Sequence, residues 1–115
     1  MPAYNFMPQF ADSVASGQKR CTIRRKRKRP TKAGDILHLF TGMRTKRCRK
    51  LGKTLCLEVQ PIEIARQRIV LAGKELNWSG SFILAKADGF RCLNDFFAFY
   101  DKLYGLPFAG VLIEW

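Results

Sequence analysis

The sequence predicts an α+β fold, and three observations carry that expectation. The chain has 115 residues, the size of one domain, and a chain of that length buries roughly two-thirds of its unfolded surface without staples. Short segments of alternating apolar and polar residues recur along it, bounded by Gly and Pro, as strands are. Two or three further segments carry helix spacing and helix stops, and such helices mixed among short strands indicate α+β. The most economical version is a small barrel with a helix or two packed across it. Hydrophobic residues make up 47% and charged residues 26%, which excludes a disordered tail, a coiled coil and a collagen-like repeat.

The elements follow in order. Phe10 to Ser16 fits a short helix stopped by Gly17. Cys21-Thr22-Ile23-Arg24 alternates as a strand emerging from that glycine. Arg24-Arg25-Lys26-Arg27-Lys28-Arg29 then reads as an exposed loop, because no packed core holds six consecutive cations. Lys32 to Asp35 forms a turn, and Ile36 to Phe40 a strand. Thr41 to Lys53 is expected to be a second loop between Gly42 and Gly52. Thr54 to Ile64 alternates as one long strand, interrupted or bulged near Pro61, with Arg68 to Leu71 as a plausible partner. Ser81 to Ala87 reads as a short helix ending before Asp88-Gly89. Asn94 is placed to cap a third helix, with Asp95 in its first turn and Gly105 and Pro107 as its stop. Gly110 to Trp115 is the final strand. Neither a repeat nor a linker interrupts residues 1–115, so one domain is expected.

Charge is the unusual feature. Lys and Arg number 21 against 9 Asp and Glu, a net of +12. Residues 1–57 hold 15 of the basic and 2 of the acidic residues, so all the excess lies in the first half. A one-sided basic field suits a polyanion, most simply nucleic acid, although an acidic membrane surface or protein meets the same field. Seven cations lie in the segment 24–32, namely Arg24, Arg25, Lys26, Arg27, Lys28, Arg29 and Lys32. Six more lie in 44–53, namely Arg44, Lys46, Arg47, Arg49, Lys50 and Lys53. Loops of this kind hold phosphates with little sequence preference, and the run is denser than solubility needs.

Other classes are less well supplied. No apolar run approaches the ~20 residues of a membrane span. No basic segment followed by an apolar one opens the chain, so the expected compartment is the cytoplasm. Cys21, Cys48, Cys56 and Cys92 form no C-x-x-C pair and His38 is the single histidine. No metal or other cofactor is therefore expected, and the cysteines read as reduced thiols.

Two small constellations can carry chemistry. Thr22 and Arg24 share one face of their strand, and Lys19 lies just before it. A hydroxyl, an ammonium and a guanidinium then converge at a cleft edge, where Arg24 can hold a phosphate or a carbonyl-type oxygen. Lys19 acts as a base only if its surroundings lower its pKa. The plainer reading is one strand of a basic surface. Asp88, before Gly89 and Phe90, is either an ordinary turn residue or a carboxylate facing Lys19 or a bound base. Among the aromatics, Phe96, Phe97 and Phe99 read as core. Phe40, Trp78, Phe90 or Phe108 could stack a base.

These residues also form an ordered pattern. Gly17-x-Lys19-x-x-Thr22-x-Arg24 is followed by Lys32-Ala33-Gly34-Asp35, then Asp88-Gly89-Phe90, Asp95-Phe96, and Tyr104-Gly105-x-x-Phe108-x-Gly110-x-Leu112-Ile113-x-Trp115. From about Phe10 to Trp115 the chain resembles the ASCH domain family. The resemblance implies a PUA-like fold, a small β-barrel of five or six strands with two or three helices packed against it, and a ligand cleft at the Lys19–Arg24 segment. It implies RNA, or substrates derived from RNA. Some compact bacterial members remove the acetyl group from N4-acetylcytidine with a Lys, a Thr and a Glu, and others have been proposed to be ribonucleases. The matching positions are Lys19 and Thr22, with Arg24 holding the substrate. The Glu falls at Asp88, one methylene shorter. The 24–29 run and the 44–53 segment are further departures, and they point to a polymer, since a free nucleoside carries no phosphate for such cations.

Three functions follow as expectations. The first is a nucleic-acid-binding module, for RNA, with the basic segments on the backbone and the cleft on a base or terminus. The second is a metal-independent amidohydrolase acting on a modified cytidine, with Thr22 as nucleophile, Lys19 as base and Asp88 as acid. The third is RNA cleavage in the same cleft.

Overall fold

The computed structural model describes residues 2–115. Among them the elements run β1 (Ala3–Phe6), α1 (Pro8–Ser16), β2 (Cys21–Arg24), β3 (Ile36–Thr41), β4 (Arg49–Leu55), β5 (Glu58–Ala65), β6 (Arg68–Leu71), β7 (Lys74–Glu75), α2 (Trp78–Ala87), α3 (Leu93–Tyr104) and β8 (Phe108–Glu114). The fold is α+β. The strands form two sheets, of order β1-β3-β4 and β2-β8-β5-β6-β7, and not one closed ring. None of the helices is long and apolar enough to cross a membrane.

The gap between the sheets is bridged by side chains. Among the described residues β1 pairs with β3 alone, and no strand of theirs lies along its outer edge. Arg24 Nη2 donates to the Asn5 carbonyl at 2.7 Å and Arg27 Nη2 to the Ala3 carbonyl at 2.6 Å. These carbonyls, two residues apart, point to the same edge of β1. Guanidinium groups from β2 and its following loop thus occupy the positions a ladder would have filled. At the other side the chain crosses between sheets at Cys56-Leu57, where Cys56 N bonds the Asp35 carbonyl and Leu57 N the Glu114 carbonyl, each at 2.8 Å.

Several expected boundaries shift. The structure has eight strands rather than five or six among the described residues. β1 is four residues between two prolines, and its alternation, Tyr4 and Phe6 inward, is too short to read in advance. The single strand expected over 54–64 is two, broken at the crossing. Pro61 lies inside β5 without breaking it. Its carbonyl accepts from Ala72 N at 2.9 Å, so its missing N–H faces β6 just past the last ladder pair, Ile62 with Leu71. The expected loop 44–53 ends at Cys48. Arg49, Lys50 and Lys53 belong to β4, an edge strand, where exposed cations discourage pairing with another chain. α2 starts at Trp78, capped by Asn77 Oδ1 on Gly80 N at 2.8 Å. α3 starts at Leu93, so Asn94 sits in its first turn and Cys92 is the N-cap.

The core lies between the sheets and under α3. Leu37 and Leu39 of β3, Ile62 and Ile64 of β5, Ile69, Ile113 and Phe96 are all nearly inaccessible. One close approach fixes the β2–β8 seam. A Cβ at Gly110 would stand 2.4 Å from the Arg24 carbonyl and 2.7 Å from the Phe108 ring, so only hydrogen fits.

Candidate functional site

Gly17 ends α1 in the left-handed region, φ 84°, and turns the chain so that Lys19 N bonds the Ser13 carbonyl at 2.9 Å. The Lys19 side chain is thereby directed inward and is 3% exposed. Asp88 closes α2 and is 1% exposed. Gly89 follows at φ 97°, and a Cβ there would meet the Phe10 ring at 3.0 Å. This glycine lets the helix end turn tightly under α1.

Lys19 Nζ donates to Asp88 Oδ1 and, at 2.5 Å, to the Asp88 carbonyl. Tyr100 of α3 donates its hydroxyl to Asp88 Oδ2 at 2.5 Å. Phe10 covers the ammonium at 5.0 Å from the ring centroid. The Asp88 carboxylate thus reaches Lys19 directly. Burial pushes the Asp88 carboxyl up, against the opposing pull of the Lys19 charge and of the Lys19 and Tyr100 hydrogen bonds. Burial and the adjoining carboxylate raise the Tyr100 phenol well above its usual range. The Cys21 thiol, also buried and near Asp88, is pushed up to about 12.

Thr22 is 4% exposed, and its Oγ1 accepts from Arg24 Nε at 2.9 Å. Arg24 lies over Phe6 at 4.9 Å and over Tyr4 at 5.3 Å. Burial lowers its pKa from the usual guanidinium value. Lys19, Thr22, Arg24 and Asp88 all line one cleft of about 270 Å³, together with Asn5 and Tyr104. Within it Lys19 and Asp88 offset each other's charge. Arg24 remains as a cation with N–H donors beyond the two it spends on Thr22 and Asn5, and it suits an anionic or carbonyl oxygen.

The remaining cations are exposed, and the structure orders them around this cleft unevenly. Arg25 lies 5.0 Å over the Tyr104 ring, at the cleft wall. The loop carrying Arg44, Lys46 and Arg47 is tied to the cleft by Met43 N on Asn5 Oδ1 at 2.9 Å. Arg49 reaches Asp12 of α1 at 3.6 Å. Among the described residues it is the one member of the two basic segments whose side-chain cation lies within 4.0 Å of a carboxylate. Lys26, Lys28 and Arg29 run on along the loop, with Arg27 at 3.9 Å over Tyr4. Lys32 lies beyond, in the turn before β3. Lys53 pairs with His38 three positions down β3 from Thr41, away from the cleft.

Aromatic selection corrects the expectation. Phe90 and Phe108 are core, Phe40 lies under Lys50, and Trp78 is 70% exposed against Phe82. None lines the cleft, which takes Phe6, Phe10, Phe99, Tyr100 and Tyr104 instead. Tyr100 and Asn5 were not singled out in the sequence. A signal existed for the tyrosines, since Phe96, Tyr100 and Tyr104 recur at i, i+4 and place two hydroxyls on an otherwise apolar helix stripe. No family model, curated protein or solved structure matches this chain.

Proposed function

We propose that this chain is a PUA-like module of ASCH type that binds nucleic acid, RNA in first place, with a base or terminus in the Arg24 cleft and the backbone on the two basic segments. One observation carries the reading. The segment 24–32 and the turn that leads into 44–53, far apart in sequence, meet the same cleft through Arg25 on Tyr104 and Met43 on Asn5. Aromatic walls and a single unneutralised guanidinium suit an unpaired base with its oxygen acceptors. Nearly all the surrounding cations lack carboxylate partners, so phosphates meet little competition. The test is the dissociation constant of an RNA oligonucleotide against salt. With six to ten phosphates held, the expected loss is roughly 10³–10⁵ between 50 and 200 mM. Binding that is absent at low salt, or indifferent to salt, overturns the reading.

The buried Lys19–Asp88–Tyr100 network favours a second reading, an amidohydrolase acting on N4-acetylcytidine. Thr22 Oγ1 would attack the acetyl carbonyl, and Lys19, in its neutral form with the pair's proton on Asp88, would accept the Thr22 proton. Asp88 would protonate the leaving nitrogen, and water would then hydrolyse the acetyl-Thr22 ester, releasing acetate and returning the pair's proton. Against it, Lys19 Nζ is committed to Asp88, and no hydrogen bond joins it to Thr22 among the described residues. Cytidine formed by the wild type and not by Lys19→Ala would establish this chemistry. No cytidine at high enzyme concentration would remove it.

A further inference from the structure

A second recess lies beside the cleft, with a volume of about 520 Å³, within the usual range for ligand sites. Its floor is apolar. Val59 and Pro61 of β5 sit on one face, with Val111 of β8 directly opposite Pro61. Leu57, 61% exposed, extends the floor. Its rim carries four cations, Arg25, Lys26, Arg27 and Lys32, against one carboxylate, Glu58, and so stays net cationic.

The register makes this floor a continuation of the cleft. Arg24 stands opposite Val111, and Val111 opposite Pro61. Thr22 stands opposite Ile113, and Ile113 opposite Val59. Directly opposed residues share a face, so Thr22, Arg24 and the recess floor lie on one face of the larger sheet. Pro61 is two strands from Arg24, roughly 10 Å away. Arg25 belongs to both places, lining the recess and lying over Tyr104 of the cleft. Tyr4 is likewise shared, walling the recess and standing 5.3 Å from the Arg24 guanidinium.

A bare phosphate gains nothing from an apolar floor, and a basic peptide is repelled by the rim. The ligand needs an uncharged flat group carried on an anionic strand, one repeat from the group in the cleft. We infer that the recess is a second base subsite. It takes the base adjacent to the one in the cleft, and Arg25 and Arg27 hold the phosphate between them. This inference rests on the nucleic-acid reading and makes the ligand a single strand, since a base locked in a duplex cannot lie on the sheet.

The experiment compares uridine monophosphate with hexauridylate on the wild type and on Leu57→Asn, which changes no charge and sits at an exposed position. Methyl resonances of Val59 and Val111 are followed in the same titrations. The expected result is an affinity for hexauridylate about fivefold weaker in the variant, with uridine monophosphate unaffected. The Val59 and Val111 methyls should shift with hexauridylate and stay in place with the mononucleotide. Hexauridylate binding with unmoved methyls and equal affinity in both proteins overturns the subsite and leaves the functional reading standing. No binding of hexauridylate to the wild type overturns both. Shifts of the same methyls by phosphatidylserine vesicles, and not by hexauridylate, would assign the recess to a lipid surface and also overturn the proposal.

Discussion

The molecule uses cations in two opposite ways. Lys19 is buried, bonded to Asp88 and covered by Phe10. The cations from Arg25 to Arg29 are exposed, and none of them meets a carboxylate within 4.0 Å among the described residues. In the interior a charge is costly unless a partner is fixed beside it, so its position is set closely and its field is local. In water a charge costs little, is loosely placed, and adds to a field felt by a distant polyanion. The first arrangement builds geometry, and the second builds attraction.

The largest effect expected from this contrast is on stability. Asp88→Ala strands the Lys19 ammonium in the interior and should destabilise the fold by about 3–5 kcal/mol in denaturant titration. A variant as stable as the wild type would show that the pair does not organise the site. Next comes Tyr100→Phe, which removes the donor to Asp88 Oδ2 and keeps the ring packing. The expected loss is about 1–3 kcal/mol, the cost of an unsatisfied buried acceptor. No loss would mean that water or another donor replaces the phenol.

The exposed set should behave in the reverse manner. The combined variant Lys26→Ser, Lys28→Ser and Arg29→Ser should change stability by no more than about 0.5 kcal/mol per site. The salt slope for single-stranded RNA should fall by about 0.7 for each phosphate that is no longer neutralised. Destabilisation comparable to Asp88→Ala would erase the distinction between the two kinds of cation. The smallest change to the molecule separates the regions by reactivity. At pH 8 an alkylating reagent should modify exposed Cys48 and spare Cys21, buried and with its thiol pushed up to about 12. Mass spectrometry after limited labelling reads the outcome, and equal labelling would place Cys21 outside the protected interior.

What could be read in the sequence divides along a similar line. The convergence of Lys19, Thr22 and Arg24 was legible because it is local: a glycine stop, then strand alternation over four residues. Asp88 was legible as a carboxylate at a helix end, but its attachment to Lys19 spans 69 positions, and no local pattern encodes such a distance. Tyr100 carried no role in the sequence, because only the fold brings its hydroxyl to Asp88, twelve positions away. β1 was missed because four residues between prolines carry little periodic signal. The Arg49–Lys53 stretch read as loop because its cations masked a backbone that pairs with β3. The recess was illegible for a further reason, since it depends on the register of three strands.

The arginine cover on β1 has a practical consequence. Arg27 has two competing acceptors, the Ala3 carbonyl and any phosphate oxygen that approaches. Inorganic phosphate in a buffer is therefore expected to compete with the Ala3 carbonyl for Arg27, at the basic surface and at the edge of β1 at once. A strand edge guarded by a side chain can be unguarded by a solute, and an unguarded edge is a place where two molecules can join. Buffer composition is thus a variable of handling for this protein, and affinity and colloidal behaviour are best compared in a buffer without oxyanions.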